Sequence, residues 1–331
     1  MQPVPVCDVI MFGKTRYVRI NVITGFCLLL IPYMNGLRAT ESNPSSLSRS
    51  NTWRKPLGPK LPTLTIPDIL RSGLPSLPDI NNVGAISQWL RVIARSSHRI
   101  HVTVIGHSGN GREILGVIAG GEHPESPQMP TVAIICRQHG NEPAPTLAAL
   151  EIILDVATNI APDKYELLQH MRFAIVPVAS PDGAVTGHRF VQGWKNPNRD
   201  WGISYLPETC AVETFLRGAH PDVLLDCHEL LPGDYESRPY IECGADGEKL
   251  AKRVLIEAEK DHCPLVLGHT AVDCPSALLY RYFPRVYHKP AVMLESALVG
   301  DHQIERRARL HRAAAWAAAK FVVLQARLER R

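Results

Sequence analysis

The sequence predicts an α/β fold: a mixed sheet with helices on both faces, in a single domain. Three observations carry this. Short apolar or alternating runs alternate with longer helical stretches along the chain, which is the pattern of layered α/β domains. The first two strand-like runs are joined by Ser108-Gly109-Asn110-Gly111, a hairpin signal, so at least one strand pair is antiparallel. Finally, 331 residues with 45% hydrophobic side chains can bury a large core. No internal repeat and no break in composition follow residue 62.

The chain opens on what reads as a secretory leader. Lys14, Arg16 and Arg19 precede an apolar run over 20–34, centred on Leu28, Leu29, Leu30 and Ile31, and Leu37-Arg38-Ala39 offers a small residue at a cut. Basic flank, apolar centre and small cleavage residue are the parts of an export signal. Met11 is read as the true start, residues 1–39 as the leader, and the protein is expected to be periplasmic or secreted. Asn21, Thr24, Gly25 and Pro32 interrupt the run, so it makes a poor membrane span. A membrane is expected to be met only through an uncleaved leader. Residues 40–62, rich in Ser, Asn, Pro and basic side chains, read as a linker, and 63–331 as the folded domain.

Within that domain helices are predicted over 66–74, 83–95, 143–157, 164–170, 210–217 and 247–260. In the second, Ile86, Trp89, Leu90 and Ile93 fall on one face. A last helix, rich in Ala and Arg, is predicted over about 303–328; its stripe of Ile304, Ala308, Trp316 and Phe321 marks a helix packed on the sheet. Strands are predicted over 101–105, 114–119, 131–136, 173–178, 223–226, 264–267 and 291–295.

Charge excludes one class of partner. The formal net charge is +4, of which residues 1–39 carry +3, and a nearly neutral body gives no reason to expect nucleic acid. Eight cysteines are present. Cys136 and Cys227 fall in or beside core strands and read as buried thiols, while Cys263 and Cys274 flank a loop and are the expected bridge. The absence of a Cys-x-x-Cys pair argues against a thiolate zinc site.

The chemistry concentrates in Arg137-Gln138-His139-Gly140-Asn141-Glu142 and Asp226-Cys227-His228. His139 and Glu142 fall in the turn between a strand and a helix with Pro143 near its first turn, and His228 follows a second apolar run. Two imidazoles and a carboxylate can hold one zinc and leave a fourth position for water, which separates a catalytic zinc from a structural one. In open α/β sheets, sites gather at the carboxyl ends of strands. Glu295 closes the run Ala291-Val292-Met293-Leu294, where partial burial raises a carboxyl toward the range of a general base. Asn198 and Arg199 present an amide and a guanidinium fork suited to a carboxylate. Arg189 would stabilise an oxyanion if it stood near the metal.

In this order the residues resemble the zinc metallocarboxypeptidases of the carboxypeptidase A type. The resemblance runs from about Ile105 to Ala297. It starts at Gly106-His107-Ser108-Gly109-Asn110-Gly111-Arg112-Glu113-Ile114, similar to that family's Gly-x-Ser-x-x-Gly-Arg-x-Ile hairpin. It continues through His139-Gly140-Asn141-Glu142, Ser180-Pro181-Asp182-Gly183, Arg189, Asn198-Arg199, Asp226-Cys227-His228 and Glu295-Ser296. The nine-residue step from Arg189 to Asn198 resembles the bacterial, murein-peptide-amidase-like branch. The resemblance implies a mixed, mostly parallel sheet of about eight strands. It also implies one zinc on His139, Glu142 and His228, with Glu295 as general base and Arg189 on the oxyanion. Asn198 and Arg199 are implied to hold the substrate's free carboxylate, Arg112 to act at an outer subsite, and Tyr280 to lie near the pocket floor. Ser180 and Glu229 depart from the family pattern, which has Asn at the first position and, in the animal digestive enzymes, Ser at the second.

The expected function is therefore zinc-dependent hydrolysis of a C-terminal amide bond in a peptide or cell-wall peptide, by a monomer. Two alternatives stand beside it: an N-acyl amino acid hydrolase like aspartoacylase or succinylglutamate desuccinylase, and a catalytically silent peptide-binding relative.

Overall fold

A computed structural model describes residues 7–12, 15–20, 76–121, 124, 126, 128–158, 161–230, 238–244, 246–263, 265–268, 277–297 and 303–329. The chain divides into two units, residues 1–52 and 53–331. In the first, β1 (Cys7–Phe12) and β2 (Thr15–Ile20) pair antiparallel, with Phe12 opposite Thr15. Arg16 and Arg19 of the expected leader's basic flank lie in β2, and the apolar run beyond Ile20 falls outside the described residues. So does the helix expected over 66–74.

The second unit is built on one eight-stranded sheet. Its strands are β3 (Ile100–His107), β4 (Glu113–Gly120), β5 (Thr131–Cys136), β6 (Arg172–Val176), β7 (Val223–Leu230), β8 (Tyr240–Cys243), β9 (Val266–Leu267) and β10 (Ala291–Ala297), in the order β3-β4-β6-β5-β7-β10-β8-β9. The central run β6-β5-β7-β10 is parallel. β3-β4, β4-β6 and β10-β8 are antiparallel, the first being the hairpin expected from Ser108–Gly111. The mixed, mostly parallel sheet thus agrees with the sequence.

Eight helices accompany it among the described residues: α1 (Val83–Ser96), α2 (Ala144–Thr158), α3 (Pro162–Leu168), α4 (Pro181–Thr186), α5 (Pro207–Ala219), α6 (Glu248–Lys260), α7 (Leu279–Tyr287) and α8 (Ile304–Glu329). Alternation along the strands divides the core. Ile134, Cys136, Leu225, Cys227, Val292 and Leu294 join α1, α2, α6 and α8 on one side; Ala133, Ile135, Leu224, Ala291 and Met293 join α5 and α7 on the other. α2 is apolar nearly all round because it is enclosed by the sheet and α8. The alanines of α8 (Ala313, Ala314, Ala315, Ala317, Ala318, Ala319) are all buried, and their small size lets the helix lie close to its neighbours. Among the described residues no single helix is long and apolar enough to cross a membrane.

Cys263 carries a free, buried thiol, so the bridge expected to Cys274 is not borne out; Cys274 itself lies outside the described residues. Cys136 and Cys227 are free and buried, as expected.

Candidate metal centre

The site forms where β5, β7 and β10 end. After Cys136 the chain turns sharply at Arg137, whose φ of 54° is left-handed. The buried Arg137 guanidinium fixes that turn, with Nε donating to the Gly140 carbonyl at 2.9 Å and Nη1 to the Ile80 carbonyl at 2.5 Å. Gly140 then passes so close to the start of α4 that a Cβ there would lie 1.8 Å from the Gly183 carbonyl carbon. Only glycine allows this approach. His139 and Glu142 thereby face His228 of β7.

These three side chains form a buried cluster, exposed by 2%, 0% and 1%. His139 Nδ1 lies 2.6 Å from Glu142 Oε1, and His228 Nδ1 lies 2.8 Å from Oε2. One ligand atom from each residue falls within 4.8 Å of the others. The outward nitrogens are occupied. His139 Nε2 donates to Asn196 Oδ1 at 3.0 Å and His228 Nε2 to Asp226 Oδ1 at 2.9 Å. Acceptors beside both Nε2 atoms favour a proton there, which would leave each Nδ1 available to a metal. Burial alone would raise the Glu142 carboxyl, but the two imidazoles outweigh it and hold it well below the usual carboxylate range. Burial opposes charge on His228, yet Asp226 and Glu142 together raise it well above its ordinary value. An N₂O donor set this compact, with ring tautomers fixed from outside, fits a zinc ion.

Glu295 of β10 pairs in register with His228 and lies on the same face. Its Oε2 is enclosed and has no hydrogen-bond partner among the described residues. Burial pushes its carboxyl up to about 8; His228 opposes the rise and Glu142 adds to it. Arg189 Nη1 donates to Glu142 Oε1 at 3.0 Å, which brings a guanidinium to the cluster from a segment 47 residues downstream.

Asn198, Arg112 and Tyr280, expected to contact substrate, each have protein partners. Asn198 is buried, its Nδ2 3.0 Å from His228 Nε2 and its Oδ1 accepting from the Leu279 amide at 3.0 Å. These contacts set Asn198 between His228 and the start of α7. Of the pair, Arg199 has the exposed side chain, its Nη1 donating to the Asn198 carbonyl at 2.7 Å. Arg112 joins the hairpin to α4, with Nη1 donating to Asp182 Oδ1 at 2.7 Å; Asp182 also accepts from Ser108 Oγ and the Asn110 amide. Tyr280, expected at the pocket floor, is wholly buried, and its hydroxyl donates to Glu242 Oε2 at 2.6 Å.

Other contributors are not evident in the sequence. Gln138 Nε2 donates to Asp226 Oδ1 at 2.5 Å, and Trp201 Nε1 donates to Gln138 Oε1 at 2.8 Å, so the support of His228 extends two side chains deep. Asn196 lies two residues before Asn198, and the need of a ligand imidazole for an acceptor is the signal that points to it. Between Arg189 and Asn196 the chain makes a tight ribbon, Val191 bridging to Lys195. Its tip is Trp194, 79% exposed with φ 60°, flanked by the rings of His188 and Phe190.

Residues 86–215 match the zinc carboxypeptidase family model. Over that stretch the chain is similar to the zinc carboxypeptidases. The matched stretch holds His139, Glu142, Arg189 and Arg199; His228 and Glu295 lie beyond it and are brought in by the fold. Zinc carboxypeptidase A 1 of Drosophila melanogaster is 29% identical over 133 residues, which is 35% of this chain and 31% of the fly protein. The chain thus matches about a third of that relative's length. Among solved structures, a metallo-carboxypeptidase from Burkholderia cenocepacia superposes with a TM-score of 0.61 at 20% identity, covering 73% of this chain and 69% of that one. A metallo-carboxypeptidase from Pseudomonas aeruginosa, solved with (2-guanidinoethylmercapto)succinic acid, gives 0.60 at 20%, covering 72% and 68%. At these identities the likeness is one of fold.

Proposed function

We propose that this protein is a zinc carboxypeptidase that hydrolyses the C-terminal amide bond of a peptide or cell-wall peptide. The observation that carries the reading is the register pairing of Glu295 with His228, which sets an unpartnered carboxyl beside the His139–Glu142–His228 cluster. Zinc held there would supply a Lewis acid and a water acidified toward neutrality.

The chain's own residues do the rest. Glu295, whose proton affinity burial raises in the metal-free site, would in its ionised form take a proton from the attacking water and return it to the leaving amine. Arg189, at the edge of the cluster, offers its guanidinium to the oxygen of the scissile carbonyl as negative charge develops. Arg199, exposed beside the buried Asn198, is the fork available for a terminal carboxylate. Asp226 keeps His228 in its ligand orientation. Placement outside the cytoplasm rests on the leader pattern of residues 1–39.

The test is a zinc measurement on the purified protein, with a panel of peptides carrying free and amidated C-termini, with and without chelator. Chelator-sensitive release of a terminal residue from the free form alone supports the reading. Arg199→Ala should raise KM for free-carboxylate substrates by about tenfold or more, the worth of a charge-assisted pair. Equal effects on amidated peptides would remove Arg199 from that role. Bound zinc without peptide cleavage, but with hydrolysis of N-acyl amino acids, would replace the reading with the acylase alternative.

A further inference from the structure

Behind the metal cluster, on the opposite face of the sheet, lies a second set of buried polar contacts. His228 and Glu295 point to the site; the residues that follow them, Glu229 and Ser296, are also register partners and point the other way. Both meet α8. Arg307 Nε donates to Glu229 Oε1 at 2.7 Å, and His311, one helical turn on, places Nε2 3.1 Å from Ser296 Oγ. Side-chain exposure is 9% at Arg307 and 0% at Glu229. The other carboxylate oxygen of Glu229 accepts the Ala144 amide at 2.7 Å. Ala144 is the first residue of α2, two positions after Glu142, and Pro143 before it has no side chain able to cap the helix. Glu229 therefore caps α2 from a neighbouring strand.

The contact pattern is specific. One carboxylate joins the strand that delivers His228 to the helix start that fixes the His139–Glu142 turn, and a guanidinium on α8 holds that carboxylate in place. We propose that Glu229 and Arg307 are positioning residues for the metal: through them α8 sets the spacing of His228 against Glu142, and thereby zinc affinity. This rests on the metal reading of the cluster. The family match ends at residue 215, well before either Glu229 or Arg307.

A purely structural ion pair provides the contrast. Arg312, also on α8, makes a bidentate pair with Asp155 of α2, its Nη2 2.8 and 2.6 Å from the two oxygens, and Asp155 lies near the far end of α2 from Glu142. In the full-length protein, zinc affinity is measured by competition with a chelator, beside the melting temperature of the metal-free form, for the parent, Glu229→Gln, Arg307→Lys, Arg307→Ala and Arg312→Ala. Glu229→Gln and Arg307→Ala should weaken zinc about 10- to 100-fold, the usual effect of losing an outer support of a ligand. Arg307→Lys, which keeps the charge, should recover part of that loss. Arg312→Ala should lower the metal-free melting temperature yet leave zinc affinity within about twofold, since it removes a pair remote from the ligands. If Arg307→Ala does not fold, the isosteric Glu229→Gln and the Lys variant carry the test. Parental zinc affinity in Glu229→Gln overturns the proposal, and so does an equal loss in Arg312→Ala, which would reduce the contacts to general stability. A parent that binds no zinc overturns the metal reading and this proposal together. A parent that binds zinc but cleaves no peptide leaves only the peptidase reading in error.

Discussion

Glu295 and His228 stand directly opposite one another on adjacent parallel strands. Neighbouring strands are about 4.8 Å apart, so the register alone brings a carboxyl alongside a ligand imidazole without any loop having to close. Glu295→Gln keeps the size and the strand, and should therefore retain zinc. Turnover should fall by about 10²- to 10⁴-fold, the range for losing a general base. Steady-state assays on zinc-matched samples check this, and a near-parental rate would take Glu295 out of the mechanism.

The same carboxyl makes the metal-free protein pH-sensitive in a stated direction. Its folded-state value, about 8, lies above its ordinary 4.5 because of burial, against the pull of His228. The protonated form is thus favoured by folding, so the contribution to stability is fully present below pH 4.5 and is lost as pH rises toward 8. Metal-free Glu295→Gln should be more stable than the parent at pH 8.5, by no more than about a few kcal/mol, since a tenfold change in proton affinity is worth about 1.4 kcal/mol. The gain should vanish near pH 4.5. Urea melts at the two pH values decide it; a pH-independent difference would be inconsistent with a buried titrating carboxyl.

His311 titrates with the opposite sign. Burial, reinforced by His228 and Arg307 and only partly offset by Glu142, lowers it to about 3. The unfolded chain therefore binds its proton first, and stability present above pH 6.5 drains away as pH falls toward 3. His311→Gln, which cannot take up that proton, should lose less stability than the parent between about pH 6.5 and 4. Thermal melts across this interval test it, and parallel acid profiles would show that His311 is not the group responsible.

Two glycines separate close approach from backbone freedom. Gly140→Ala forces a Cβ to 1.8 Å from the Gly183 backbone, where nothing flexible can yield. It should cost several kcal/mol, on the order of the larger single-site losses, and displace His139. Gly187→Ala meets nothing within 4 Å and pays only for its φ of 67°, about 1 kcal/mol. Expression and thermal melts of the two variants should differ sharply; similar behaviour would mean that the His139 turn adapts.

Much of the fold was legible because its strands are buried on both faces, and such strands read as apolar runs: 131–136 was found to the residue. The misses have physical causes. β7 runs four residues past its predicted end at Asp226, to Leu230, because the ligand His228 and the capping Glu229 are satisfied by partners distant in sequence. β8 is four residues long, and α7 is a nine-residue aromatic helix with Pro284 inside it, a residue that reads as a stop. At the site the ligands and Glu295 were visible by type and order. The protein contacts of Asn198 and Tyr280 were not, since their partners, Leu279 and Glu242, lie 81 and 38 residues away.

The exposure of Trp194 has an optical consequence. It is 79% exposed, whereas Trp89, Trp201 and Trp316 are buried. Its ribbon is spliced between Arg189 and Asn196, one of which touches Glu142 and the other His139. An indole in water emits at longer wavelength than one in a core, so the chain carries an optical signal at the mouth of its own site, readable without any label.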